Sequence, residues 1–126
     1  SVDAKKVGHQ QYEVYTHSGK KPVGIDALNW TERMADYGAG EILLTSMDKE
    51  GTMEGYDLDL IRMVTDRITI PVIANGGVGT LQHLVEGITT GQASAVAAAS
   101  IFHFTDQSPI KAKAYMKVKG ITIRPI

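Results

Sequence analysis

Cysteine is absent, which excludes disulfide frameworks, thiol nucleophiles and thiolate metal sites. Neither sign of charge dominates. Thirteen basic residues stand against 14 acidic ones, for a formal net charge of −1. A nucleic-acid binder normally carries a basic surplus, so no nucleic-acid partner is expected. No stretch approaches the roughly 18 consecutive apolar residues of a membrane span. With no export leader in view and no disulfides, a cytoplasmic location is expected. The four histidines, His9, His17, His83 and His103, show neither His-x-His nor His-x-x-x-His spacing. No metal site and no cofactor are therefore expected. A Gly-x-Ser-x-Gly nucleophile elbow is also missing. What remains is an ordinary globular composition, 43% apolar and 21% charged over 126 residues, expected to form one domain over 1–126.

Strand signals and helix signals alternate along the chain. Ser1–Lys5 reads as the end of a strand whose start is missing, and Gln11–Thr16 alternates as a strand does. Ser18–Pro22 reads as a loop. A helix is predicted from Asp26 to Tyr37, with Ala27, Trp30, Met34 and Tyr37 as its apolar stripe, Asp26 as N-cap and Gly38 as its stop. Ile42–Leu44 and Pro71–Ala74 are short apolar runs of the kind found in strands buried on both faces. A second helix starts at Asp57 and uses Leu60, Ile61 and Val64. A third places Leu81, Leu84, Val85 and Ile88 on one face. Ala93–Ala99 is predicted as a strand of small residues. Ser108-Pro109 opens a last helix with Ile110, Ala114, Tyr115 and Val118 turned inward. Such βα alternation implies an α/β fold with a parallel sheet covered by helices. Both an open doubly wound sheet and part of a (β/α)8 barrel satisfy it, although a whole barrel takes about 200–250 residues.

Chemistry concentrates at the loops that follow the strands. Asn75-Gly76-Gly77-Val78-Gly79 lies between a strand and a helix, where small residues let backbone N–H groups approach an anion; a tight βα turn uses the same residues. Gln82 stands where a dinucleotide fingerprint needs its third glycine. Ala99-Ser100 at the next strand end could complete a phosphate cup, since barrels commonly build one from the loops after their last two strands. Asp3 at a strand end is a candidate acid or base, or else a solvated carboxylate. The acidic loop Asp48–Thr52 lacks the ligand pattern of an EF-hand. Glu41 starts a strand and so belongs to the opposite end of the sheet.

Taken in order, these segments resemble a known family. Val2-Asp3-Ala4-Lys5, Gly38–Asp48 with Gly51-Thr52 and Gly55-Tyr56-Asp57, Pro71–Ala74 with Gly76-Gly77, and Ala98–Phe104 are similar to the cyclase subunit of imidazole glycerol phosphate synthase. The resemblance covers nearly the whole chain but only the C-terminal half of that family's (β/α)8 barrel, strands five to eight, with the first of these truncated. It implies a lyase of histidine biosynthesis. Ammonia and a phosphoribulosyl-formimino carboxamide ribonucleotide give imidazole glycerol phosphate and an aminoimidazole carboxamide ribonucleotide. By the same resemblance Asp3 is one of two acid–base aspartates, the other lying on a first strand that this chain does not include. Glu50, Gly51, Gly76, Gly77, Ala99 and Ser100 would hold one phosphate of the substrate. Thr45 and Asn75 would line the interior, and Glu41 would stand where ammonia enters from a glutaminase partner. Glu50 and Asn75 depart from the family's usual Asp and Ser.

A half barrel is expected to have two open sheet edges and an uncovered apolar face, which favour self-association into a closed ring. Without the second aspartate and the contacts of the other half, the isolated chain is expected to be inactive or very weakly active. The alternative reading is a non-catalytic half-barrel that binds phosphate or sulfate and self-associates.

Overall fold

A computed structural model describes residues 1–125. Its strands are β1 (Val2–Gly8), β2 (Gln11–Thr16), β3 (Lys21–Asp26), β4 (Ile42–Ser46), β5 (Val72–Asn75) and β6 (Ala95–Val96). Its helices are α1 (Ala27–Asp36), α2 (Leu58–Thr65), α3 (Leu81–Thr89), α4 (Ser100–Phe104) and α5 (Pro109–Val118). The six strands form one sheet in the order β3-β2-β1-β4-β5-β6. Strands β1, β4, β5 and β6 run parallel, while β2 and β3 are antiparallel additions beside β1. The fold is α/β with a mostly parallel sheet, compatible with part of a (β/α)8 barrel.

Strand periodicity divides the side chains between two faces. Val2, Ala4, Ile42, Leu44, Val72 and Ala74 are buried and form the core with Ala27, Leu28, Leu60, Ile61, Val64, Leu84 and Val85 from the helices. Each large aliphatic among them contributes about 1.5–3 kcal/mol by leaving water. The opposite face is only half covered. Asp3, Leu43, Ile73 and Asn75 are of intermediate exposure there, so β4 and β5 are not sealed on both sides as their apolar runs suggested.

The helix starts follow from local chemistry. Asp26, Asp57, Thr80 and Ser108 each accept a hydrogen bond from a backbone N–H in the first turn of the following helix. The faces of α2 and α3 follow the expected stripes, with Leu60, Ile61, Val64, Leu84 and Val85 buried, whereas those of α1 and α5 do so only in part. On α1 the buried residues are Ala27, Leu28 and Thr31, whereas Tyr37 is 74% exposed. Thr31 hides its hydroxyl by donating to the Leu28 carbonyl at 2.8 Å, which makes a polar residue acceptable in the core. On α5 it is Ala112 and Met116 that turn inward, while Ile110 and Val118 are 62% and 85% exposed. The Tyr115 hydroxyl donates to Gln82 Oε1 of α3 at 2.9 Å, consistent with the orientation that leaves the Ile110–Val118 stripe outward.

Four strand expectations need correction. The first strand continues to Gly8. Lys21 and Pro22 belong to β3, because the turn at His17, Ser18 and Gly19, all with positive φ, folds the chain back on β2. The Ala93–Ala99 segment keeps only Ala95–Val96 in strand pairing, and Ser100 opens the short helix α4. Alanines offer little side-chain contact to hold a longer strand. Finally, one of the two edges expected to be open is partly covered: β2 pairs with β1 from Ala4 to Gly8.

The β2–β3 hairpin is tied to the start of α2 by Tyr12. Its side chain is buried, and its hydroxyl reaches both oxygens of Asp57, at 3.0 and 3.1 Å. Burial, then the Asp57 carboxylate, pushes the phenol far above its ordinary value of 10.0. The folded state therefore favours the protonated phenol. That stabilisation is complete below pH 10 and declines as the pH rises toward the folded value. Tyr12→Phe should cost about 1.5–3 kcal/mol at pH 7, as expected for a hydrogen bond to a charged acceptor. Urea unfolding should show the gap between wild type and variant narrowing above pH 10. A gap that is constant with pH would mean that the hydroxyl is not held this way.

Candidate functional site

The register aligns three polar residues: Thr45 and Asn75 at the C-terminal ends of β4 and β5, and Asp3, which lies near the start of β1 rather than at a strand end. Asp3 of β1 pairs with Thr45 of β4, and Thr45 with Asn75 of β5. The Asn75 side-chain amide donates to Thr45 Oγ1 at 3.0 Å, which satisfies a hydroxyl that is almost wholly buried. The chain leaves β5 directly into Gly76 and Gly77, both buried and both with positive φ. The far side of the site follows β6, where the Ala97 N–H donates to the Ala74 carbonyl and the chain turns into α4 at Ser100.

Glu50, Asn75, Gly76, Gly77, Ala99 and Ser100 line one small recess together with Val78 and Ala98. The recess is narrow, with about 10 Å³ for the centre of a water-sized molecule. The backbone N–H groups of Gly76, Gly77, Val78 and Ser100 donate to no other backbone group among the described residues. Such free amides beside small residues are the donor chemistry an oxyanion requires. Glu50 is the discordant member. Its Oε2 lies 3.2 Å from the position a Cβ on Gly76 would take, which puts a carboxylate against the loop.

The loop after β4 locks onto the glycine loop. Gly55 N–H donates to the Gly77 carbonyl at 2.7 Å. Tyr56 is buried and donates its hydroxyl to the Ala97 carbonyl at 2.7 Å, so the same loop also braces the approach to Ser100. Burial alone raises the Tyr56 phenol well above its ordinary value, keeping it a donor.

Other expected site residues lie outside the recess. Asp3 borders a separate crevice with Ser1, Tyr15, Val23 and Trp30, although it shares the level of Thr45 and Asn75. Gly51 is exposed at the tip of the acidic loop, beyond the recess lining. Glu41 is exposed immediately before β4, at the opposite end of the sheet from the loops. Sequence reasoning used Tyr56 only within the Gly55-Tyr56-Asp57 segment of the resemblance and gave it no role. It missed His83, which did leave a signal: Thr80-Leu81-Gln82-His83 has capping-box spacing with His at the position usually held by Glu or Gln.

No helix among the described residues is long and apolar enough to cross a membrane. Residues 1–108 match the family model described as histidine biosynthesis protein. That match spans most of the chain and includes every candidate site residue, and on it the chain belongs to the histidine biosynthesis protein family, whose fold is the TIM barrel.

Proposed function

We propose that the chain is the C-terminal half of a cyclase of the imidazole glycerol phosphate synthase type. In this reading the recess formed by Gly76, Gly77, Ala99 and Ser100 holds one phosphate of the ribonucleotide substrate. The observation that carries it is the convergence of the two expected phosphate loops on that recess, which Asn75 also lines. Free loop amides and the Ser100 hydroxyl supply donors to the phosphate oxygens. Asp3 moves a proton as general acid or base while ammonia attacks and the ring closes. A second carboxylate, from a preceding half barrel, would take the complementary role. Thr45, fixed by Asn75, lines the reacting centre, and Glu41 lies on the end where a glutaminase subunit would deliver ammonia.

Complementation tests this reading. The chain is mixed with a separately expressed first half of a family barrel, and ammonia and the ribonucleotide are supplied. Turnover in the mixture, with little or none in either half alone, is expected. Absence of turnover from a mixture that forms a stable one-to-one complex would count against a cyclase.

A second reading, a phosphate-binding half-barrel that pairs with itself, is favoured by three features. The sheet face bearing Leu43 and Ile73 is half uncovered, β6 has no further strand beside it among the described residues, and Phe104 is 77% exposed. Light scattering after size exclusion separates the cases. A dimer that persists when the complementing half is added supports self-pairing, and a monomer at micromolar concentration opposes it.

A further inference from the structure

His83 stands behind the glycine loop rather than in the recess. Its Nδ1 accepts hydrogen bonds from two backbone N–H groups, that of Gly79 at 3.1 Å and that of Thr80 at 3.3 Å. In return the His83 N–H donates to Thr80 Oγ1 at 3.3 Å, which completes a reciprocal cap at the start of α3. An Nδ1 that accepts from two donors carries no proton, so the ring's proton is on Nε2. The other edge of the ring lies against Gly55, where an added Cβ would come within 3.4 Å of both Cδ2 and Nε2. Gly55 in turn donates to the Gly77 carbonyl. One imidazole therefore touches both loops that frame the recess: it holds the end of the Gly76–Gly79 loop and supports the residue that pins Gly77.

From this geometry we infer that His83 is a positioning residue for anion binding, setting the Gly76–Val78 amides in place without touching the ligand. The inference rests on the phosphate-site reading above and adds to it a residue that acts through the loop. A histidine is suited to the task because it combines a capping acceptor with a flat ring that fits beneath Gly55. An alanine supplies neither, whereas a glutamine keeps an acceptor at capping-box position.

The test uses inorganic phosphate as probe and the amide shifts of Gly76, Gly77 and Ser100 as readout, with hydrogen exchange followed at Gly79 and Thr80. His83→Ala should weaken phosphate binding about tenfold, the equivalent of one hydrogen bond's worth of loop ordering. It should also speed exchange at Gly79 and Thr80. His83→Gln should keep binding close to wild type and slow exchange again, a rescue that loss of ring packing alone does not predict. Ser100→Ala serves as the comparison: weaker binding with Gly79 and Thr80 exchange unchanged marks a contact residue. Unaltered phosphate affinity in His83→Ala, while Ser100→Ala still weakens it, overturns the positioning role and leaves the site reading intact. If phosphate shifts none of the three amides in the wild-type chain, both fall. Should His83→Ala fail to fold, a folded His83→Gln with faster exchange at Gly79 and Thr80 but unaltered phosphate affinity is sufficient to reject the role.

Discussion

Asp3→Asn, assayed in the complemented assembly with saturating ammonia, should lower turnover by about 10²–10⁴-fold, the usual contribution of one general acid or base. Asparagine keeps the shape and hydrogen-bonding reach of the side chain but cannot exchange a proton in the pH range of the reaction. Asp3 borders a crevice with Ser1 and Tyr15, not the recess of Gly77 and Ser100. Phosphate affinity should therefore change less than twofold, which corresponds to under about 0.4 kcal/mol. The effect should fall on kcat, because the interaction is made in the transition state and not in substrate binding. A parallel loss of phosphate affinity and turnover would mean that Asp3 acts by holding the structure, and the acid–base assignment would fail.

Gly77→Ala is expected to be the most destabilising single-methyl change in the site. Gly77 has a φ of +105°, where a Cβ is strained. That Cβ would also sit 2.1 Å from the Gly55 carbonyl oxygen and 3.0 Å from Lys49 Cβ. The two loops would have to separate, breaking the 2.7 Å bond from Gly55 N–H to the Gly77 carbonyl. Backbone strain and overpacking each cost about 1–3 kcal/mol, so a total of roughly 3 kcal/mol or more is expected from urea unfolding. Gly38→Ala provides the control. Gly38 has a similar φ of +99° but nothing within 4 Å of the added carbon, so only strain remains, about 1 kcal/mol. Equal costs at the two positions would show that the loops do not approach as closely as described. The same Gly77 variant should lose phosphate binding, since its amide is one of the free donors of the recess.

Which features were readable depended on how local their causes are. Asp26, Asp57, Thr80 and Ser108 cap helices by bonds that span three residues, and three of these starts, at Asp26, Asp57 and Ser108, were read directly from the sequence. The glycine loop was readable as a strand-to-helix turn for the same reason, because consecutive small residues mark such a turn. By contrast, the bond from Tyr12 to Asp57 crosses 45 positions and that from Tyr56 to Ala97 crosses 41, and nothing in either neighbourhood announces its partner. The inward face of α5 was misjudged because its alanines and lysines leave two apolar stripes. Contact with α3 selected the one containing Ala112 and Met116.

By itself the sequence determined the α/β class, the positions of most helices and the βα order, because period, capping and glycine content are properties of short segments. Tertiary structure decided that the hairpin of β2 and β3 covers part of one sheet edge. It also decided that Glu50, Gly77 and Ser100 meet in one recess while Asp3 stands apart from it. Those outcomes depend on strand register and on which helix packs where. Both are set by many weak contacts between residues far apart in the chain, and no short stretch of sequence contains them.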